Sequence, residues 1–247
     1  MKYFSSPFHV DSIAPWITRW FGLRQNSTGK IQPPTPVYVP YIWAFIGAFG
    51  GLAVLQAIFG QSAYFIERGV PPLVASYGAS AVLCFGAIDS PLAQPRAVLG
   101  GHFISALTGI IYTRIFDIHY HLHDDGSHHF WLAWLAASLA TATAIVVMQF
   151  TKTIHPPAGA TALLPVLDAT INQLDWYFLA VVLLSSTMIV AIAMFTNNIQ
   201  RRYPLFWWSP PSPKKGLSNI LPMTSGDTST KQKSPPSSSQ RSNGETE

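Results

Sequence analysis

The clearest chemical signal in the sequence lies in residues 153–162, which read TIHPPAGATA. Proline fixes φ and lacks an N–H group, so the double proline predicts an extended lead-in to a helix N-terminus. Such a terminus favours an anion, because its N–H groups are free and its dipole end is positive. The alternative is that His-Pro-Pro is an interfacial turn without a ligand. The candidate anion-binding residues of this stretch are His155, Pro156, Pro157, Gly159 and Thr161.

A second stretch resembles the first at an offset of 81 residues, with GASAVL at 78–83 against GATALL at 159–164. A double proline also precedes it, at residues 71 and 72. Paired short segments interrupted by proline, in corresponding halves of a chain, are typical of a transporter's substrate site. Gly78 and Ser80 therefore join the predicted anion site. The alternative is close helix packing through small residues.

A third stretch, DSPLAQPR at residues 89–96, is followed by Gly-Gly-His at 100–102. Arg96 is the natural anion ligand of this group because guanidinium recognises oxyanions well. His102 falls inside a predicted membrane helix, where an imidazole is costly unless it has a partner. Arg96 and His102 complete the predicted substrate-binding residues. The alternative is an Asp89–Arg96 ion pair that closes a loop.

The remaining polar residues give weaker signals. Arg114 and Asp117 are three residues apart, and we expect them to pair on one helix face. The loop 119–129 is rich in His and Asp, but no spacing matches a closed zinc site, so a solvated loop is expected. We therefore predict no metal and no cofactor. Neither a catalytic triad nor a P-loop motif is visible.

Composition places these motifs in a membrane. Hydrophobic residues make up 49% of the chain and charged residues 11%, against about 25% charged residues in soluble domains. Four segments are long enough to span a bilayer, and two shorter ones follow the double prolines. The long segments are 41–60, 97–116, 130–150 and 177–199, and the short ones are 73–88 and 158–171. The sequence predicts an all-α membrane bundle of about six segments. No basic stripe interleaved with aromatic residues is present, which argues against a nucleic-acid partner.

The order long–short–long occurs twice and predicts a 3+3 inverted repeat. Six crossings with both termini in the cytosol place most basic residues inside, as membrane proteins prefer. The alternative has re-entrant short segments and four crossings. The predicted domains are an amphipathic, Pro-rich segment at 1–40, a transmembrane domain at 41–199 and a disordered cytosolic tail at 200–247. Within the first, a helix lying in the membrane interface is expected from Ile13, Trp16, Ile17, Trp20 and Phe21.

Three of these motifs together resemble the HPP family of integral membrane proteins. They are residues 155–162, residues 78–83, and residues 90–96 with the Gly-Gly-His at 100–102, and they occur in the family's order. The resemblance covers roughly residues 41–199. It implies about four membrane helices, and plastid and cyanobacterial-type members of this family are associated with nitrite transport.

The sequence therefore predicts a transporter or channel for a small inorganic anion, with nitrite as the case that the resemblance suggests. The expected partners are the lipid bilayer, the anion and a second copy of the chain. The first alternative is a membrane scaffold that uses its small residues for packing and oligomerisation. The second is a membrane-embedded enzyme that uses His155, His102 and Asp89. The membrane in which the protein resides is left open.

Overall fold

The computed structural model describes residues 15–22, 36–118 and 130–209. Within these residues all regular structure is helical, as predicted, and nine α-helices form. They are α1 (Pro15–Trp20), α2 (Tyr38–Gln61), α3 (Ala63–Ile66), α4 (Ser76–Ala81), α5 (Pro95–Ile115), α6 (Phe130–Thr151), α7 (Pro156–Leu167), α8 (Ala169–Leu174) and α9 (Tyr177–Asn197). A π-helical turn, Val82–Gly86, continues α4, and a 3₁₀ turn, Pro91–Ala93, precedes α5.

Four helices are long and apolar enough to cross a bilayer, namely α2, α5, α6 and α9. They contain 24, 21, 22 and 21 residues, and about 20 residues suffice at 1.5 Å per residue. The two shorter apolar helices are Ser76–Gly86 and Pro156–Leu167. The predicted set of four long and two short segments is therefore confirmed.

One end of the bundle, here called the basic end, gathers one terminus of each of the six membrane segments. Trp43 at the start of α2 donates to the side chain of Gln200, 2.7 Å away, just beyond α9. Asn197 of α9 donates to the carbonyl of Cys84 in the π-helical turn at 2.9 Å. Arg96 at the start of α5 donates to the carbonyl of Thr151 at the end of α6 at 2.6 Å.

The opposite end holds the other termini. Asn172 of α8 donates to the carbonyls of Ile118 and Pro165, at 3.0 and 2.8 Å, and so joins the ends of α5 and α7. Arg114 near the end of α5 pairs with Asp175, just before α9. The chain therefore passes between the two ends six times, and α4 and α7 run in opposite directions. This is the arrangement that a 3+3 inverted repeat requires.

Basic residues are unequally divided between the two ends. The start of α2 and the end of α9 lie at the basic end, together with Arg19, Arg96, Lys152, Arg201 and Arg202. Arg68 and Arg114 belong to the other end. Because cytosolic loops of membrane proteins carry the excess of Lys and Arg, we predict that the basic end faces the cytosol.

Glycines allow the helices to approach closely. A Cβ atom at Gly109 of α5 would lie 2.7 Å from the carbonyl oxygen of Ala162 on α7, and one at Gly51 of α2 would lie 2.9 Å from the Phe85 ring. These small residues pack helices of one chain against each other, so they do not carry the prediction of a homo-oligomer.

The flanking segments pack on the basic end. Trp20 of α1 stacks on Phe195 with ring centroids 5.2 Å apart. Buried Tyr203 donates its hydroxyl to the carbonyl of Ala93 at 2.7 Å, so the packed chain continues beyond residue 199. The predicted amphipathic helix forms in part, over Pro15–Trp20, while Ile13 lies outside the described residues. The His-rich loop 119–129 and residues 210–247 also lie outside them.

Candidate functional site

Three helices bring two histidines to one serine in the interior of the bundle. Ser80 Oγ on α4 lies 2.8 Å from His102 Nε2 on α5. The same oxygen lies 2.9 Å from His155 Nε2, at the start of α7. All three residues are 0% exposed. The two imidazole rings therefore meet edge to face across a shared hydroxyl, with centroids 5.0 Å apart.

Each imidazole also uses its second nitrogen. His102 Nδ1 lies 2.8 Å from Thr161 Oγ1 on α7, and Thr161 donates to Ser76 Oγ at 3.0 Å. His155 Nδ1 lies 2.8 Å from the carbonyl oxygen of Leu92, in the 3₁₀ turn. We call this group the histidine cluster: Ser76, Ser80, His102, His155 and Thr161.

Local sequence explains how His155 reaches the cluster. A residue before proline is pushed out of the helical region, and His155 has φ −140° and ψ 101° ahead of Pro156. Its Cβ approaches α5 where Gly101 has no side chain, since a Cβ at Gly101 would lie 2.8 Å from it. His102, the next residue on α5, lies about 10 Å along the helix from Pro95. The cluster thus lies inside the bundle, nearer the basic end.

The cluster is closed in this conformation. Tyr77 covers His102, with ring centroids 4.7 Å apart, and donates its hydroxyl to the carbonyl of Val182 at 2.9 Å. A crevice reaches the other side of Tyr77 between Leu55 and Pro72, but within the described residues it is too narrow to hold a water molecule. A ligand can reach the histidines only if these helices separate.

The structure brings together four of the residues that the sequence predicts as anion ligands: Ser80, His102, His155 and Thr161. The predicted main-chain donors are occupied. Pro156 and Pro157 have no N–H group, and that of Ala158 donates to the carbonyl of His155 at 2.9 Å. From residue 159 onward the N–H groups fall within α7, where helical carbonyls accept them. The donors available to an anion here are therefore side chains.

The two predicted glycines do not lie at close contacts. A Cβ at Gly78 would meet no atom within 4 Å, and one at Gly159 would meet Thr141 Cγ2 at 4.0 Å. The close approaches lie on α5 instead, at Gly101 and Gly109. Beside Gly159, the Thr141 hydroxyl oxygen is buried and has no hydrogen-bond partner within the described residues.

Charged residues lie away from the cluster. Arg96 is half-buried at the basic end, where it donates to the carbonyls of Thr151 and Trp208 rather than closing a loop with Asp89. Asp89 is exposed and does not join the histidines.

The structure gives Arg114 a partner that the sequence analysis does not predict. Arg114 pairs with Asp175, beyond the end of α5 at Ile115, and Asp117 has a positive φ of 51°. This ion pair joins the end of α5 to the start of α9, at the end of the bundle opposite the basic end.

Sequence reasoning missed three residues that hold the site in place. Ser76 closes the cluster beside Thr161, and Tyr77 covers His102. Gln94 donates to the carbonyls of Ile88 and Ser90 and accepts from the Leu205 N–H at 2.9 Å. The signal that could have identified Gln94 is its amide side chain, which lies between two prolines in the sequence.

The cluster offers hydrogen-bond donors and proton-accepting nitrogens in a low-dielectric interior. Ionisable side chains inside membrane bundles are costly, and they usually mark a substrate or proton pathway. Hydroxyl and imidazole N–H groups suit an oxyanion, and an imidazole nitrogen can accept or release a proton.

Comparison with known proteins agrees with this architecture. The sequence model of the family described as HPP, transmembrane region, matches residues 33–204. A transmembrane protein of Dictyostelium discoideum is 35% identical over 200 residues, which cover 79% of this chain and 64% of the relative. A second transmembrane protein of that organism is 37% identical over 169 residues, covering 67% of this chain and 50% of the relative.

The chain thus spans between half and about two thirds of the length of these relatives. No solved structure matches it. The family match covers more than half of the chain, and the four long apolar helices agree with a membrane protein that crosses the bilayer several times. The chain belongs to the family of integral membrane proteins that contain the HPP transmembrane region.

Proposed function

We propose that the protein transports a small inorganic anion across a membrane and that the histidine cluster binds it. The observation that carries this proposal is the pair of buried imidazoles on either side of Ser80 Oγ. Burying such groups inside a bilayer costs free energy, and ionisable side chains found there usually mark a substrate or proton pathway. Nitrite is the substrate to test first, because the motifs resemble a family with nitrite-transporting members.

The anion would replace bonds that the cluster now makes with itself. Ser80, Thr161 and the two imidazoles supply donors on three helices, so an oxyanion between them would be held from several directions. The unpartnered Thr141 hydroxyl lies next to Gly159 and offers a further donor on α6. The positive charge of Arg96 would attract anions and so raise their concentration at the basic end. Salt would weaken this attraction.

Access requires movement, because Tyr77 and the closely packed α5 and α7 seal the cluster. The short helices α4 and α7 run in opposite directions and each carries a hydroxyl of the cluster. In transporters built on inverted repeats, one such unit moves against the other around a central site. Separation of α4 from α7 would open the cluster toward one end at a time.

The test is nitrite uptake into liposomes that contain the purified full chain, compared with protein-free liposomes. We expect uptake that saturates with nitrite concentration and falls at least tenfold in Ser80→Ala. The matched control is Ser138→Ala on α6, whose exposed hydroxyl donates only to the carbonyl of Trp134 in its own helix. Uptake no faster than in protein-free liposomes, for nitrite and nitrate alike, would refute the proposal.

A second function, that of a membrane scaffold, is favoured by a different observation. Each imidazole nitrogen of the histidine cluster already lies within hydrogen-bond distance of a protein oxygen and the cluster is closed, as a purely structural polar network would be. A scaffold predicts no uptake by wild-type protein and loss of folded protein in Ser80→Ala. Transport predicts uptake by wild-type protein and a Ser80→Ala variant that still inserts.

A further inference from the structure

The hydrogen positions in the histidine cluster can be worked out from its partners. The Leu92 carbonyl only accepts, so His155 Nδ1, 2.8 Å away, carries a proton. Thr161 donates its one hydroxyl proton to Ser76 Oγ. The bond between Thr161 Oγ1 and His102 Nδ1 must therefore be donated by the imidazole. Each imidazole thus carries a proton on Nδ1.

This assignment leaves the centre of the cluster one proton short. A neutral imidazole has a single N–H, so both Nε2 atoms are acceptors when both rings are neutral. Both point at Ser80 Oγ, which has one proton to give. One of the two Nε2 atoms would then face a lone pair of Ser80 Oγ at hydrogen-bond distance, with no proton between them. In this structure Ser80 donates its one proton to the main-chain carbonyl of Ser76 at 3.1 Å.

One added proton gives both contacts between Ser80 and the imidazoles a donor, in either of two ways, once Ser80 turns its own proton from the Ser76 carbonyl to an imidazole. If His155 takes it, His155 Nε2 donates to Ser80 and Ser80 donates to His102 Nε2. If His102 takes it, both bonds reverse. The two states exchange by moving one proton across Ser80 Oγ. This oxygen therefore links the imidazoles as a relay between α5 and α7.

We infer that the His102–Ser80–His155 relay binds the proton that accompanies the anion, so that the protein is an electroneutral proton–anion symporter. The inference rests on the proposed anion transport. A lone proton would leave an uncompensated charge in the bilayer interior, which is costly. A bound anion beside the imidazolium cancels that charge. The proton binds an imidazole nitrogen from one side and leaves with the anion on the other, and no other covalent bond changes.

The neighbourhood of the relay holds few other titratable groups. Within the described residues, Tyr77 of α4 faces His102, but its hydroxyl donates to Val182 on α9. α7 contributes Thr161, and α6 contributes Met148 near Gly101. The pH response of transport should therefore belong to the two histidines.

The experiment uses liposomes with the full chain and a pH-sensitive dye inside, at equal pH on both sides, to which nitrite is added. We expect the lumen to acidify by about one proton per nitrite that the protein carries, with a rate unaffected by a potassium–valinomycin potential. Protein-free liposomes give the background from nitrous acid, which crosses bilayers unaided and is subtracted.

Three outcomes are distinct. Nitrite uptake with matching acidification and no voltage dependence supports the symport. Uptake without acidification, or with a rate that follows the potential, overturns the symport and leaves anion transport standing. Absence of uptake above background refutes the proposed function itself.

A variant tests the relay through the pH dependence of uptake. Thr161→Val removes the acceptor that holds the proton on His102 Nδ1. His102 can then carry its proton on Nε2 and donate to Ser80, so the hydrogen bonds of the cluster need no extra proton. The pH of half-maximal uptake should then fall by about half to one unit, which corresponds to one hydrogen bond. Thr187→Val, which removes an exposed hydroxyl bonded within α9, should leave it unchanged. An unchanged midpoint in Thr161→Val would contradict the relay.

Discussion

The two short helices occupy equivalent places in the repeat but differ in how they begin and in what they contribute. α7 begins at the double proline, whereas α4 begins at Ser76, four residues after Pro72. Ser80 of α4 contacts both imidazoles, while its counterpart Thr161 contacts one. The two short helices run in opposite directions, and the histidines, which have no counterparts at the repeat offset, make the chemistry asymmetric.

The difference also concerns how tightly the two helices are held. α7 packs on α5 through Gly101 and Gly109, where an added Cβ would clash with backbone or Cβ atoms. α4 has open space at Gly78 and continues into a π-helical turn. We infer that α7 belongs to the rigid part of the bundle and that α4 is the element that moves.

The largest expected effect comes from disrupting the close contact between α5 and α7. Gly101→Ala places a Cβ 2.8 Å from His155 Cβ and 2.9 Å from the Thr153 carbonyl oxygen. Since neither neighbour is the end of a flexible chain, α5 and α7 must separate, and most folded protein should be lost. The yield of monodisperse protein in size-exclusion chromatography measures this.

The matched control is Gly50→Ala on α2, where a Cβ would meet no atom within 4 Å. It should keep the wild-type yield. Equal yields from the two variants would show that close packing at Gly101 is not required.

The next effect distinguishes Ser80 from Thr161, which carry two of the three hydroxyls of the cluster. Ser80→Ala leaves two buried imidazole nitrogens without a partner, at about 1–3 kcal/mol for each unsatisfied group. Nitrite uptake per inserted molecule should fall more than tenfold. A Thr161→Val effect as large as that of Ser80→Ala would remove the asymmetry proposed here.

Thr161→Val should be milder for uptake at saturating proton concentration. It removes one hydrogen bond to His102, worth about 0.5–1.5 kcal/mol, or up to about tenfold in affinity. Uptake measured against nitrite concentration should show a raised half-saturation value. Thr187→Val should leave that value unchanged.

The smallest effect belongs to Arg96, which lies outside both short helices. Its guanidinium donates to the carbonyls of Thr151 and Trp208 at the basic end, at 2.6 and 2.9 Å. Arg96→Gln should lower uptake a few-fold at low ionic strength and less at high ionic strength, because salt screens a surface charge. A loss independent of salt would mean that Arg96 acts by tying α6 to the basic end.

Much of the fold could be predicted because it depends on local patterns. Lengths of apolar runs gave the four long helices, and the 81-residue offset relates α5 to α9, which are both 21 residues long. The same offset identified Ser80 and Thr161 as partners across the repeat. The His-Pro-Pro motif correctly marked the start of α7.

Other features depend on contacts that no local pattern contains. The sequence could not decide whether Gly159 leaves room for a ligand or for a neighbouring helix, and the structure places no helix in close contact with it. Ser76 was missed because its importance arises from Thr161, 85 residues away. The main-chain donors expected after Pro157 are used within the helix, because the Ala158 N–H donates to the His155 carbonyl and the later N–H groups follow the helical pattern.

Nitrogen-15 NMR of histidine-labelled protein in lipid bilayers tests the central claim most directly, with His102→Gln and His155→Gln used to assign the two buried imidazoles. The account predicts that nitrite shifts both resonances and that one imidazole gains a second N–H. It also predicts that Ser80→Ala removes this response. Two buried imidazoles whose resonances stay unchanged from zero to saturating nitrite would contradict it.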